Sequence, residues 1–324
     1  MNPARMIVNQ TEATRLLEAG NVIAIPTETV WGLASRADEL AAVRRMAELK
    51  GRKEGKPFTL FPQSIGRIND YAVLTEPAGK LIAAGFVPGP LTIVLEARVS
   101  FEGVVASDGS VGIRLPAHKE MLKLLAGLSF PLATTSANPS GLEPAKNRKE
   151  LQDYFPELPA LAGECGGIPA STVLDARQEP LVLIRRGPVG LLEAERATGL
   201  RVVSSSLRIL FVCTGGVDRS PAAAGWLESQ AVPGLEARFA GTLWPEREIL
   251  SAAGWADMIF PMERHHAEFL EDLGVSPAKI LEPLGIIDPH GQDEPVRKAI
   301  FARLERTLSE RVLPEVRARL FGPS

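Results

Sequence analysis

The 324-residue chain has little cysteine, two residues in all, and only two tyrosines and four histidines. Two thiols so far apart, Cys165 and Cys213, argue against a disulfide framework and fit a reducing compartment. No apolar run approaches the roughly 20 residues needed to span a bilayer, so no membrane partner is expected. The start, Met1-Asn2-Pro3-Ala4-Arg5, leads into a polar helix without the apolar core of a secretory signal, and a cytoplasmic location is expected. A net charge of only −3 provides no global basic field, which leaves local contacts as the only route to RNA. Internal repeats and low-complexity segments are lacking too.

What is present is apolar material, 45% of residues, enough for two buried cores. The stretch around which the chain is organised is Leu49-Lys50-Gly51-Arg52-Lys53-Glu54-Gly55-Lys56-Pro57, with four cations inside seven residues. Gly51, Gly55 and Pro57 end the preceding helix and hold the cations on a loop, where backbone N–H groups can approach an anion. A solvated basic loop is the plainer reading of the same residues.

In chain order, Thr11 to Ala19 reads as a helix closed by Gly20, and Val22 to Ile25 as a buried strand ended by Pro26. Thr27 and Thr29 then sit at a strand's carboxyl end, where open α/β sheets contact ligands; a Ser/Thr turn is the alternative. Asp38 to Lys50 carries a helical apolar stripe and delivers the cationic loop. Strands are expected at 58–61, 91–95, 110–116 and 131–134, and helices at 77–84 and 118–126. Arg114, between apolar neighbours, needs an anionic partner, either a carboxylate of the protein or one of a substrate. Ser171 to Asp175 and Leu181 to Ile184 read as an antiparallel hairpin, so the sheet should be mixed.

Pro26-Thr27-Glu28-Thr29-Val30-Trp31-Gly32-Leu33, Lys50-Gly51-Arg52 and Thr134-Thr135-Ser136-Ala137-Asn138-Pro139-Ser140-Gly141, in this order, resemble the YrdC/Sua5 family of threonylcarbamoyl-AMP synthases from about Gln10 to Val189. The resemblance implies a twisted open mixed sheet with helices. It also implies an ATP subsite of Lys50, Arg52, Lys56, Ser110, Ser136, Asn138, Pro144 and Arg185, and an L-threonine subsite of Thr29, Arg114, Thr134 and Ser171. Some members have His where Phe61 stands. The implied reaction joins L-threonine and bicarbonate to a carbamate that attacks ATP and expels pyrophosphate, with Mg²⁺ arriving on ATP. No general base and no metal ligand of the protein is assigned. Proteins that transfer the threonylcarbamoyl group to tRNA, for t6A at adenosine 37, are the implied partners; direct tRNA contact would fall to the basic loop. The rivals are an RNA-binding module without catalysis, and a phosphatase of arginine or tyrosine phosphate as the main activity.

The serine run near Ser204 suggests a linker at 198–207, between a domain at 1–197 and one at 208–324. In the second domain, strand Arg208 to Val212 leads into Cys213-Thr214-Gly215-Gly216-Val217-Asp218-Arg219-Ser220-Pro221 and a helix. Cys and Arg separated by five residues on a strand-to-helix turn make a phosphate cradle; a free Cys at a buried strand end is the alternative. With Ala256-Asp257-Met258-Ile259-Phe260 and Asp288-Pro289, this part resembles the low-molecular-weight protein tyrosine phosphatases, which include arginine-phosphate phosphatases. That implies a smaller, Rossmann-like parallel sheet with Cys213 as nucleophile, Arg219 as phosphate ligand, Ser220 as thiolate support and Asp288 as acid. Thr214 resembles the arginine-phosphatase branch. Gly216 in place of Asn, Asp218 in place of a second Cys, and a connection from Gly241 to Asp257 that is short enough to have lost a helix imply a weak or inactive phosphatase.

Overall fold

The computed structural model describes residues 7–51 and 56–321. Arg52, expected in the ATP subsite, lies outside them. Backbone contacts divide the chain into two compact units, 1–189 and 190–324. Residues 198–207, expected as a linker, hold the end of a helix, Leu191–Thr198, and a strand, Val202–Ser204, with Val202 and Ser204 buried. Serine composition alone does not separate a flexible linker from a short strand whose apolar residue finds a core.

The first unit is built on a mixed sheet. Its strands are β1 (Ile7–Val8), β2 (Ile23–Ile25), β3 (Gly32–Arg36), β4 (Thr59–Phe61), β5 (Leu91–Glu96), β6 (Ser110–Ile113), β7 (Leu132–Ser136), β8 (Ala160–Leu161), β9 (Thr172–Asp175) and β10 (Leu181–Arg185). They lie in the order β1-β8-β2-β3-β7-β4-β6-β5-β9-β10. β3, which the sequence reading passed over, pairs antiparallel with both β2 and β7, placing Ala34 opposite Thr134 and Gly32 opposite Ser136. β4 lies parallel to β6 and β5 parallel to β9, while β9 and β10 form the expected antiparallel pair. Trp31, Leu33, Leu60 and Leu91 are fully buried with Leu17 and Met46 from the covering helices.

Helix Leu40–Lys50 presents Val43 and Met46 to this core and ends at Gly51, whose φ of 60° and ψ of 37° are left-handed. Glycine adopts that conformation without a Cβ penalty, so the helix stops there and Lys50 is left against the end of β7.

In the second unit β11 is Val202–Ser204, β12 is Leu207–Cys213, β13 is Leu235–Gly241 and β14 is Met258–Pro261. β12 is flanked by β13 and β14, both parallel to it, as expected for a small parallel sheet. The connection from Gly241 to Asp257 does hold a helix, Glu246–Trp255, whose Ile249 and Ala253 pack on Leu210, Val212 and Ile259. A parallel crossover needs a covering layer, and this helix supplies one. Among the described residues no helix is long and apolar enough to cross a membrane.

Candidate functional site

The carboxyl ends of β2, β6, β7 and β10 bring polar groups to one cavity of about 340 Å³. Of the sequence-predicted residues, Lys50, Lys56, Arg114, Thr134, Ser136, Asn138, Ser171 and Arg185 line it. Thr29, Ser110 and Pro144 do not. Thr27, Trp31, Thr59, Thr92 and Ser140 line it as well; of these only Thr27 had been singled out. Thr92 carried no motif signal, because it reaches the cavity only through the register that sets β5 beside β9, where its hydroxyl meets that of Ser171 at 2.9 Å.

Lys50 is buried, and its Nζ donates to the carbonyls of Ser136 at 2.7 Å and Asn138 at 2.9 Å and to Asn138 Oδ1 at 2.9 Å. Ser136 Oγ donates to the same Oδ1 at 2.6 Å, and Asn138 Nδ2 donates to Leu142 O at 2.6 Å. The Ser-x-Asn turn is thus built around an ammonium. Lys50 holds its shape and adds positive charge behind it.

Two guanidinium groups face this turn from the other strands. Arg114 is buried; its Nη2 donates to Glu28 Oε1 at 2.9 Å and Thr29 Oγ1 at 3.0 Å, and its Nε to Gly89 O at 3.3 Å. Thr27 Oγ1 donates to Val30 O at 2.7 Å, so the 2.8 Å contact between the two threonine hydroxyls is a donation from Thr29 to Thr27. With its proton used there, Thr29 supports Arg114 from behind.

Arg185 donates to the Ser171 carbonyl at 2.8 and 3.1 Å and to its hydroxyl at 3.0 Å, with no carboxylate partner among the described residues. Burial, and then the nearby charge of Arg114, pull its pKa below the usual arginine value. Two desolvated cations that repel each other beside an open cavity favour an anion between them. No Asp or Glu is among the described residues that line the cavity.

Ser110 donates to Asp108 at 2.7 Å and so is spent on its own turn. Pro144 is half-buried beside Ala145, whose carbonyl receives the Trp31 N–H at 2.9 Å.

In the second unit the loop after β12 forms a cradle. Gly216, at φ 68°, turns its N–H to Cys213 Sγ at 3.3 Å, as expected of a glycine in the left-handed region. The single proton of Ser220 Oγ faces two acceptors, Ala240 O at 3.1 Å and Cys213 Sγ at 3.0 Å. Arg219 is 2% exposed and engaged through both terminal nitrogens: it pairs with Glu263, donates to Ile286 O at 2.8 Å and pairs with Asp288 at 2.7 Å. The cradle's arginine, its expected acid and a further carboxylate are therefore locked together. Asp218 has Arg297 at 3.9 Å, which offsets the carboxylate beside the loop.

His266, missed in the sequence, is buried beneath this network. Its Nδ1 accepts the Glu263 N–H at 3.1 Å, so the proton sits on Nε2, which donates to Thr214 Oγ1 at 2.9 Å. Burial first, then His265 and Arg219, push its pKa down to about 4. Glu263, His265 and His266 present ligand atoms within 4.8 Å of one another, but both nitrogens of His266 and the Glu263 carboxylate are already committed.

The Sua5/YciO/YrdC family, described as "Telomere recombination", matches residues 15–187. The threonylcarbamoyl-AMP synthase of Pyrococcus abyssi is 33% identical over 191 residues, which is 58% of this chain and 56% of that protein. The human threonylcarbamoyl-AMP synthase is 38% identical over 153 residues, 46% of this chain and 54% of that protein. The chain thus spans little more than half the length of these relatives. Among solved structures, P. abyssi Sua5 complexed with L-threonine aligns with 85% of this chain and 98% of its own at a TM-score of 0.56 and 22% identity, a likeness of fold.

Proposed function

Since the chain belongs to the Sua5/YciO/YrdC family, matched over residues 15–187, we propose that its first unit is an L-threonylcarbamoyladenylate synthase, a nucleotidyltransferase using L-threonine, bicarbonate and ATP. The observation that carries this reading is the pair Arg114 and Arg185, both desolvated at one cavity, with Arg185 lacking a carboxylate partner among the described residues. A carboxylate and a phosphate chain are the anions such a pair accommodates together.

The chemistry asks little of the protein beyond placement. The α-ammonium group of L-threonine and bicarbonate give a carbamate, releasing water and a proton. A carbamate oxygen attacks the α-phosphorus of ATP, forming the new O–P bond as the bond to the β-phosphate oxygen breaks and pyrophosphate leaves. Arg114 and Ser171 hold the amino acid, and the Ser136–Asn138 turn holds the nucleotide over the ammonium of Lys50. Arg185 and Lys56 offset the growing charge on the leaving pyrophosphate. Mg²⁺ enters as part of the ATP substrate and neutralises phosphate charge. The product is an acyl adenylate whose threonylcarbamoyl group other proteins pass to adenosine 37 of tRNA with release of AMP, and the chain works in the cytoplasm.

Pyrophosphate release by the purified chain tests this. Release should require both L-threonine and bicarbonate and should fall at least a hundredfold in Arg185→Ala. A folded, nucleotide-binding protein that releases none would overturn it.

For the second unit we propose a phosphate cradle of the cysteine-phosphatase type with weak or no hydrolytic activity. The specific support is the triple engagement of Arg219 by Glu263, Ile286 and Asp288. A phosphoryl group would have to displace two carboxylates from the arginine that should receive it. Robust aryl-phosphate hydrolysis by the chain, lost in Cys213→Ser, would refute this.

A further inference from the structure

Strand β13 closes one side of the three-stranded sheet of the second unit, and no strand among the described residues pairs with its outer edge. Its register with β12 runs without a shift from Leu235 to Gly241, so no bulge interrupts it, and the segment holds neither proline nor lysine. Those are devices by which exposed edges keep another chain away. Their absence leaves an open template for a further strand.

The ladder fixes which backbone groups are open. At its two ends Leu207 N–H donates to Gly234 O at 2.8 Å and Thr242 N–H to Cys213 O at 2.9 Å. Bonding residues alternate along a parallel strand, so Glu236, Arg238 and Ala240 turn their N–H and C=O groups to β12, and Leu235, Ala237 and Phe239 turn theirs outward. Leu235 spends its N–H on Val232 O at 3.2 Å, which leaves outward the N–H groups of Ala237 and Phe239 and the carbonyls of all three.

The side chains of this edge make a pattern that matches its own reverse. Glu236 and Arg238 are both exposed and project from one face of the strand. Arg238 lies over the Trp255 ring, 4.1 Å from its centroid, which holds the guanidinium at the edge. On the other face Phe239 is 39% exposed, although Trp244 meets its ring edge-on at 5.9 Å.

From this edge we infer that the protein self-associates: β13 pairs antiparallel with β13 of a second copy about a two-fold axis at Ala237, joining two three-stranded sheets into one. In that register Ala237 exchanges both backbone bonds with the partner's Ala237, and Phe239 N–H donates to the partner's Leu235 carbonyl. Glu236 then stands opposite the partner's Arg238, at a non-hydrogen-bonded position where side chains approach most closely. A two-fold interface makes every such contact twice. The same charges disfavour the neighbouring registers. An axis at Glu236 or Arg238 sets like charges opposite each other, an axis at Phe239 leaves both charges unmatched, and parallel pairing about an axis along the strand brings each charge against its own copy. The inference concerns the second unit and does not depend on what either unit catalyses.

Sedimentation velocity of the full chain, followed up to about 100 μM, tests it. The wild type should dimerise as concentration rises. Glu236→Arg and Arg238→Glu, each of which sets like charges opposite one another twice, should each weaken the dimer roughly tenfold or more. The combined swap restores opposite charges and should return the dissociation constant to within about threefold of the wild type. Should either single variant fail to fold, Ala237→Pro takes its place, because it deletes an outward N–H that β12 does not use and must also dissociate the dimer. A wild type that stays monomeric throughout this range would overturn the inference. So would a dimer that neither single variant nor Ala237→Pro weakens, since it would be held by another face. Failure of the combined swap to restore association would remove the Glu236–Arg238 register and the inference with it.

Discussion

Lys50 Nζ stands 2.9 Å from Asn138 Oδ1 and 2.7 Å from the Ser136 carbonyl, residues 88 and 86 positions away in the chain. The last residue of the Leu40–Lys50 helix, expected on a basic loop, is thus the strut of the turn at the end of β7. Replacing it with an apolar residue of similar length removes the charge, takes the Lys50 donor from the Asn138 carbonyl, and takes one of two donors from the Ser136 carbonyl and from Asn138 Oδ1.

Lys50→Met should therefore lower the stability of the first unit by about 2 kcal/mol or more, because hydrogen bonds to charged groups are lost together with their desolvation cover. Nucleotide affinity should fall with it, since the turn that carries Ser136 loses its shape. Denaturant unfolding and ATP-analogue titration check the two effects on one variant.

Arg185→Lys keeps the charge but loses the fork that donates to both the carbonyl and the hydroxyl of Ser171. A flexible ammonium does not reproduce that planar geometry. Nucleotide affinity should drop about tenfold while the melting temperature moves by only a few degrees. An unchanged affinity would show that the phosphates lie elsewhere.

Acid should weaken the second unit through His266. Its pKa falls from the usual 6.5 to about 4 in the fold, so between those values the unfolded chain binds a proton that the folded one refuses. The stability is fully present above pH 6.5, is lost as pH falls towards 4, and changes no further from this group below that. The loss should reach at most about 3 kcal/mol. Unfolding followed at several pH values should show that slope, and it should shrink in His266→Gln.

Gly216→Ala should destabilise the second unit by roughly 1–3 kcal/mol. The left-handed φ of 68° is one cost, and a Cβ there would meet the Trp244 indole at 2.7 Å. Chemical denaturation measures the loss, and a shift in tryptophan emission should accompany it.

The parts of this protein legible in its sequence are those carried by neighbouring residues. Gly51 ends the Leu40–Lys50 helix because a left-handed residue is needed there, and the hairpin at 172–185 follows from its alternating strands and the turn between them. Of the residues expected at the site, Lys50, Lys56, Arg114, Thr134, Ser136, Asn138, Ser171 and Arg185 line the cavity, while Thr29, Ser110 and Pro144 do not. A motif marks which residues lie close to a site and does not say which way each hydroxyl spends its proton.

The helix end at Gly51 and the Cys-to-Arg spacing were determined by the order of residues alone, because short-range sterics and local hydrogen bonds set them. Only the tertiary structure decided that Lys50 would be consumed as a strut, that Arg185 would be left without a carboxylate among the described residues, and that Arg219 would be taken by Glu263 and Asp288. Those outcomes depend on contacts between residues 14 to 88 positions apart, set by strand register and burial. In such places desolvation and competition among several partners settle where each charge goes, and neither can be read from a segment in isolation.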